Sequence, residues 1–237
     1  HGSLLGWRDE RRRWLKAGWR GLCRLLAKDV IVHAASDSEA GASEGHRVRV
    51  IPHGVAGEQL PFPSASGPLR LVAYGRLDVV KGFDLLLRAC QRLACDYQLT
   101  VAGDGPDADR LHVLARELGV AVRFVGWQDR PEQVMREAEL VVVPSHRESF
   151  GMVVAEALAC GRPVVASRQT PWRELAQRDC GWWVDNTPAA LAMAITAANE
   201  RRDQLEEMGA RGHAWMGEQA WSRSVDEMLA TYREALG

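Results

Sequence analysis

From Leu69 onward the chain alternates between two patterns, and that alternation most constrains its fold. Apolar runs at 69–74, 97–102, 121–125, 139–143 and 163–166 are short, β-branched and nearly continuous. Strands covered on both faces read this way, because neither alternate set of side chains meets water. Helical patterns near 82–94, 107–118, 130–137 and 151–160 separate them. Strand and helix in turn predict an α/β fold, a doubly wound parallel sheet with its ligands outside the carboxyl ends of the strands. A shorter unit follows, with a helix over Pro171–Gln177 and Gly181–Val184 as an edge strand. Helices near 187–200, 203–217 and 220–235 close the chain, and no internal repeat is visible.

Upstream the pattern is less regular. Residues 9–28 read as a helix, with Leu15, Trp19, Leu22, Cys23 and Leu26 at three- and four-residue steps. Asp29–His33 and Arg47–Ile51 have the length and β-branched content of strands. Between them Ser36-Asp-Ser-Glu39 forms a capping box, in which a hydroxyl takes a free amide and the glutamate reciprocates. A short helix should follow and stop near Gly41 to Gly45. Leu60–Pro68 is rich in Pro, Ser and Gly and has the composition of a linker between domains.

Composition narrows the function. Of 237 residues, 46% are hydrophobic, enough for a real core, and the net charge of −1 argues against a nucleic-acid partner. No run approaches the roughly 20 apolar residues of a membrane-spanning helix. The five cysteines are scattered and contain no C-x-x-C pair, which fits reduced thiols in a cytoplasmic protein better than a disulfide framework or a zinc site. Residues 1–30 are the exception to the balanced charge, with eight Arg and Lys against three Asp and Glu, and with Trp7, Trp14 and Trp19 among them.

The segment with the most chemistry follows the strand at 139–143. Pro144-Ser-His-Arg-Glu148 is the loop at its carboxyl end, and Ser149-Phe150-Gly151 opens the helix Met152–Cys160. The first amides of a helix have no internal partner and the helix dipole is positive there, so a phosphate is stabilised at such a place. Glu148 stands at the mouth of that crevice and Glu156 lies one and a half turns deeper. Their placement suits carboxylates that accept hydrogen bonds from hydroxyl pairs on either side of a diphosphate.

Glu148-Ser-Phe-Gly-Met-Val-Val-Ala-Glu156, followed by Ala-Leu-Ala-Cys-Gly-Arg-Pro-Val-Val-Ala166, resembles the E-x7-E signature of the retaining glycosyltransferases of family 4, which have the two-domain GT-B architecture. Tyr74-Gly-Arg76-Leu with Lys81-Gly-Phe, Val101-Ala-Gly-Asp-Gly-Pro106, Val122-Arg-Phe-Val-Gly126 and the closing Trp221 to Tyr232 helix agree with that family in order and spacing. The resemblance covers roughly residues 47–237. It implies that residues 61–218 form a donor-binding domain, that 1–60 are the tail of an acceptor-binding domain with its linker, and that 219–237 return toward that domain. Most of the acceptor domain would then be missing from this chain.

The resemblance also implies roles. Glu148 would meet hydroxyls of the donor sugar and Glu156 the nucleotide ribose. Ser149, Phe150, Gly151, Met152 and Val153 would line the sugar and phosphates. Arg76 and Lys81 would neutralise the departing diphosphate. With that positive charge in place, the donor, a uridine- or guanosine-diphosphate sugar, should need neither metal nor cofactor; Asp107 and Asp109 belong to a helix start rather than a metal site. The implied activity is transfer to a glycan, lipid or small-molecule acceptor, in cell-surface polysaccharide or glycolipid synthesis. His1 matches a loop whose histidine approaches the donor sugar in some members, and His1-Gly-Ser reads equally as a cloning remnant. Helix 7–28 falls where members often meet a membrane. Two readings of it stay open, contact with an anionic inner-membrane surface and a face that meets a partner domain.

Two competing signals remain. Gly103-Asp-Gly105-Pro-Asp-Ala108 matches a dinucleotide-binding fingerprint, but a tight turn between strand and helix explains both glycines. His33, His53 and His146 are isolated and read as structural. The alternatives in function are a non-enzymatic nucleotide-sugar-binding module and another GT-B enzyme such as a sugar-nucleotide epimerase.

Overall fold

The structure, a computed structural model, describes residues 31–41, 47–55, 57–218 and 221–236. The helix expected over 9–28, His1 and Cys23 lie outside them. Contacts divide the chain into two compact units. One is Val55–Arg147 with Gly151–Glu218; the other joins His1–Gly54, Glu148–Phe150 and Gln219–Gly237.

The larger unit is the doubly wound sheet. Its strands are β3 (Leu69–Tyr74), β4 (Tyr97–Ala102), β5 (Val122–Phe124), β6 (Leu140–Val143), β7 (Val164–Ser167) and β8 (Gly181–Val184). All pair in parallel in the order β5-β4-β3-β6-β7-β8, with Val184's strand at one edge. Between them run the helices Phe83–Cys90, Ala108–Leu118, Pro131–Glu137, Met152–Ala159 and Glu174–Gln177, followed by Pro188–Glu200 and Leu205–Glu218. The core gathers Leu69, Leu71 and Ala73 of β3 with Leu86, Leu87, Leu99, Leu111, Val142 and Ile195, all buried. Cys90, Cys160 and Cys180 are free and buried, and burial pushes their thiols up to about 12, 11 and 11.

Two buried charges hold this unit together. Glu139, without solvent exposure, accepts two bonds from Arg202 at 2.8 and 2.7 Å and one from the Arg70 amide at 3.1 Å. Arg162, also unexposed, donates to the carbonyls of Met135, Leu60, Gly161 and Pro61. That ring of acceptors includes the start of Leu60–Pro68, the segment with a linker's composition. Leu60 is buried and donates to Cys160, while Arg202 takes the carbonyls of Gly67 and Pro68. Arginines thus take the carbonyls of Leu60, Pro61, Ser64, Gly67 and Pro68, which ties the segment to the unit.

The smaller unit contains β1 (Ile31–Ala34) and β2 (Arg47–Val50), paired in parallel, with the helix Asp37–Gly41 between them. The capping box forms much as expected. Ser36 Oγ accepts from the Glu39 amide at 3.4 Å, and Glu39 reaches back to the Ala35 amide at 2.9 Å, one residue earlier than the motif predicts. The closing helix, Trp221–Leu236, lays Ser224 against the Pro52 carbonyl at 2.8 Å and Glu234 against Arg47 and Arg49. No helix among the described residues is long and apolar enough to cross a membrane.

Candidate functional site

β3 and β6 are neighbours, but the chain moves away from them in opposite directions along the sheet. Such a reversal opens a crevice at the carboxyl ends of the two strands. The loop leaving β3 carries Arg76 and Lys81. Its backbone is tied to the loop leaving β4, since Gly75 donates to Ala102 at 3.0 Å and Leu77 to Asp104 at 2.9 Å. A Cβ at Gly103 would lie 1.9 Å from the Gly75 carbonyl oxygen, so only glycine allows that approach. The glycine-rich segment thus supports the strand that presents Arg76.

Beyond Arg76 the chain makes a 3₁₀ turn, Val79–Lys81, capped by Asp78, whose side chain accepts from the Val80 amide at 3.2 Å. The same carboxylate faces Arg76 Nε at 3.7 Å. Both side chains are accessible, and an ion pair of that kind holds weakly. Arg76 is therefore mounted at the strand end but loosely held. The turn ends at Gly82, in the left-handed conformation, which separates it from the following helix; the helix expected near 82–94 runs from Phe83 and stops at Cys90.

The loop leaving β6 rests on this turn. His146 donates its amide to Val80 at 2.8 Å, while Ser167 and Asn186 bond the Ser145 carbonyl at 2.6 and 3.2 Å. The helix Met152–Ala159 starts at Gly151, with φ 81°, a residue that has no side chain to cap it. The first amides of a helix have no intrahelical partner and suit an anion. Val154, Ala155, Ala157, Leu158 and Ala159 are buried, which leaves Met152, Val153 and Glu156 as its accessible side. That side lies next to the β3 loop, since a Cβ at Gly75 would be 4.0 Å from Val153 Cγ2. Burial raises the pKa of Glu156, whose carboxylate is poorly hydrated where it stands. Hydroxyl donors from a ligand could replace the missing water.

Arg76, Lys81, Gly151, Met152, Val153 and Glu156 all belong to the larger unit, whereas Glu148, Ser149 and Phe150 group with the smaller. Ser36 Oγ donates to the Ser149 carbonyl at 2.6 Å, and the His53 ring meets Phe150 edge-on at 5.3 Å. Periodicity and motif spacing carry no sign of this division. Ser36 was legible as a cap, but its second bond was not. Asp107 is engaged by Arg110 at 2.5 and 2.7 Å, at the helix start where the sequence placed it. Two cavities lie elsewhere in the larger unit, one of about 250 Å³ beside Arg162 and one of about 450 Å³ lined by His112, Val122 and Phe124.

Residues 60–215 match the family model described as "Glycosyl transferases group 1". The chain is similar to the D-inositol 3-phosphate glycosyltransferase of Segniliparus rotundus, with 33% identity over 90% of this chain and 54% of that protein. It is also 33% identical to the GDP-mannose-dependent alpha-(1-6)-phosphatidylinositol dimannoside mannosyltransferase of Mycobacterium tuberculosis, over 68% of this chain and 43% of that one. The chain spans about half the length of the relatives it matches. Among solved structures, sucrose-phosphate synthase from Thermosynechococcus elongatus superposes with a TM-score of 0.80 at 24% identity, over all of this chain and 66% of that one. HepE of Anabaena, solved with UDP and glucose, also gives 0.80, at 21% identity over 98% of this chain and 70% of that one. These two show the GT-B fold, and the family model shows descent: the chain belongs to the group 1 glycosyl transferases.

Proposed function

We propose that the protein acts as a retaining glycosyltransferase whose larger unit holds a uridine- or guanosine-diphosphate sugar without a metal. One observation carries this reading. Outside the carboxyl ends of β3 and β6 stand an accessible arginine and a lysine-bearing turn, and Val153 beside Gly75 brings the start of a helix that carries a half-buried carboxylate. The first three offer positive charge to a diphosphate and the fourth offers an acceptor to hydroxyls. The relative named as GDP-mannose-dependent and the neighbour solved with UDP support a nucleoside-diphosphate donor. The inositol-containing names of the relatives support a polyol or lipid-linked acceptor, as in cell-surface glycolipid synthesis.

In the transfer, the bond between the anomeric carbon and the departing phosphate oxygen breaks, and the diphosphate leaves with the electron pair. The acceptor hydroxyl bonds the same face of the sugar, and its proton passes to the departing oxygen. Arg76, Lys81 and the amides of Gly151 to Val153 stabilise the charge that builds on that oxygen; removing one preorganised donor typically costs about 100-fold in kcat. Glu156 holds the ribose alike in substrate and transition state, so it acts on KM. Glu148 holds sugar hydroxyls near the reacting carbon, where contacts tighten as positive charge develops, so it acts on kcat.

A thermal-shift titration with a panel of UDP- and GDP-sugars tests the reading. A ligand at about 100 times its Kd adds about 2.7 kcal/mol to the folded state. At least one nucleotide sugar should raise the melting temperature, and Arg76→Gln should remove most of that rise. A panel without effect contradicts the proposal.

A further inference from the structure

The residues around Glu148 are held at two consecutive positions by groups from the beginning of the chain. Ser36 is 8% exposed, and its hydroxyl proton goes to the Ser149 carbonyl at 2.6 Å, a much shorter bond than the 3.4 Å one its oxygen accepts from Glu39. Glu39 fixes the backbone beneath it through the Ala35 amide. Phe150, also 8% exposed, receives the edge of His53 at 86° between ring planes. His53 is itself braced by His33, with ring centres 6.3 Å apart, and His33 bonds the Ile51 carbonyl at 2.8 Å through Nε2. Burial, and then the neighbouring His33, lower the pKa of His53 against the opposing pull of Glu39.

Glu148 precedes these two anchored residues directly. Adjacent Cα atoms are about 3.8 Å apart, so the backbone position of Ser149 limits where Glu148 can stand. A carboxylate–hydroxyl hydrogen bond is confined to about 2.5–3.0 Å, and a shift of that loop moves it out of range.

We propose that Ser36 and His53 are positioning residues for Glu148, so that they set how tightly the sugar part of a nucleotide sugar is held and leave the nucleotide part alone. The proposal rests on the reading of Glu148 as the sugar-binding carboxylate. Neither residue touches the donor. Each acts through the backbone or ring next to Glu148.

The test is calorimetric titration of the whole chain with UDP and UDP-glucose, and with GDP and GDP-mannose. The ratio of the two affinities within the responsive pair isolates the sugar contribution. Ser36→Ala and His53→Ala should each reduce that ratio about fivefold, the weight of one lost neutral contact, while free UDP or GDP binds as before. Ser36→Thr, which keeps the hydroxyl, and His53→Phe, which keeps the ring, should restore it. A merely structural role would weaken nucleotide and nucleotide sugar together, and that result overturns the proposal. So does an unchanged ratio in Ser36→Ala and His53→Ala when Glu148→Gln lowers it. If Glu148→Gln itself leaves the ratio intact, the reading of Glu148 falls, and the proposal with it.

Discussion

Gly82 and Gly119 have nearly the same backbone, φ 67° and ψ 23° at one and φ 65° and ψ 27° at the other. Their surroundings differ completely. A Cβ at Gly119 would meet nothing within 4 Å, whereas one at Gly82 would lie 2.1 Å from the Pro144 carbonyl oxygen and 3.1 Å from its carbon. Replacing either by alanine places an L residue in the left-handed region, at about 1–2 kcal/mol. Gly119→Ala should lose that and no more. In Gly82→Ala the obstacle is backbone, so no side-chain rotation relieves it. Either the turn carrying Lys81 or the loop leaving β6 must move, and overpacking of this kind adds about 1–3 kcal/mol. The expected totals are about 1–2 kcal/mol for Gly119→Ala and about 2–5 kcal/mol for Gly82→Ala. Urea unfolding followed by circular dichroism measures both against a common reference. The difference between the two variants cancels the conformational part and isolates the contact. Because the displaced parts lie in the candidate site, Gly82→Ala should also weaken nucleoside-diphosphate binding, and Gly119→Ala should not. Equal losses in the two variants, or a smaller loss at Gly82, would refute the reasoning.

Other outcomes follow from the buried charges and the site. Glu139→Gln removes the carboxylate that Arg202 and Arg70 share, and the urea midpoint should fall by the equivalent of about 3 kcal/mol; an unmoved midpoint would show that the pair contributes nothing net. Burial raises the pKa of Glu156, so its contribution to stability is full at pH values below the unfolded carboxyl pKa and is lost as pH rises through the raised folded value. The melting temperature of Glu156→Gln relative to the unmodified chain should therefore rise between about pH 4 and pH 7, while nucleotide affinity falls; the opposite pH trend refutes the burial argument. Nucleoside-diphosphate binding should persist in a chelator, measured by calorimetry with and without magnesium, and a strict magnesium requirement would count against charge supplied by Arg76 and Lys81.

Much of the fold was legible because local and global preferences agree. β3 and β4 fall where the runs at 69–74 and 97–102 put them, since only Arg70, Gln98 and Thr100 interrupt the apolar residues there. Ser36 and Glu39 announced their helix through chemistry that acts within four residues. What stayed hidden depends on distant partners. The Ser36 hydroxyl finds a carbonyl 113 positions away, and no local pattern encodes that. Arg162 sits between glycine and proline, which suggests a surface turn, yet it is fully buried because carbonyls from Met135 and Leu60 reach it. Leu60–Pro68 has a linker's composition, and the distant arginines that take its carbonyls, Arg162 and Arg202, leave no local pattern. In the candidate site, the strand ends and the helix start were legible from periodicity. The grouping of Glu148, Ser149 and Phe150 with Ser36 and His53 was not.

The central claim is that a nucleoside diphosphate binds outside the carboxyl ends of β3 and β6. Hydrogen exchange of the whole chain, followed by mass spectrometry with and without saturating UDP or GDP, tests it most directly. Slowed exchange is expected in peptides covering residues 75–82 and 151–156, with none around His112, Val122 and Phe124 at the cavity beside β5. Protection at that cavity with residues 75–82 and 151–156 unchanged, or no protection at any concentration of either nucleotide, would contradict it.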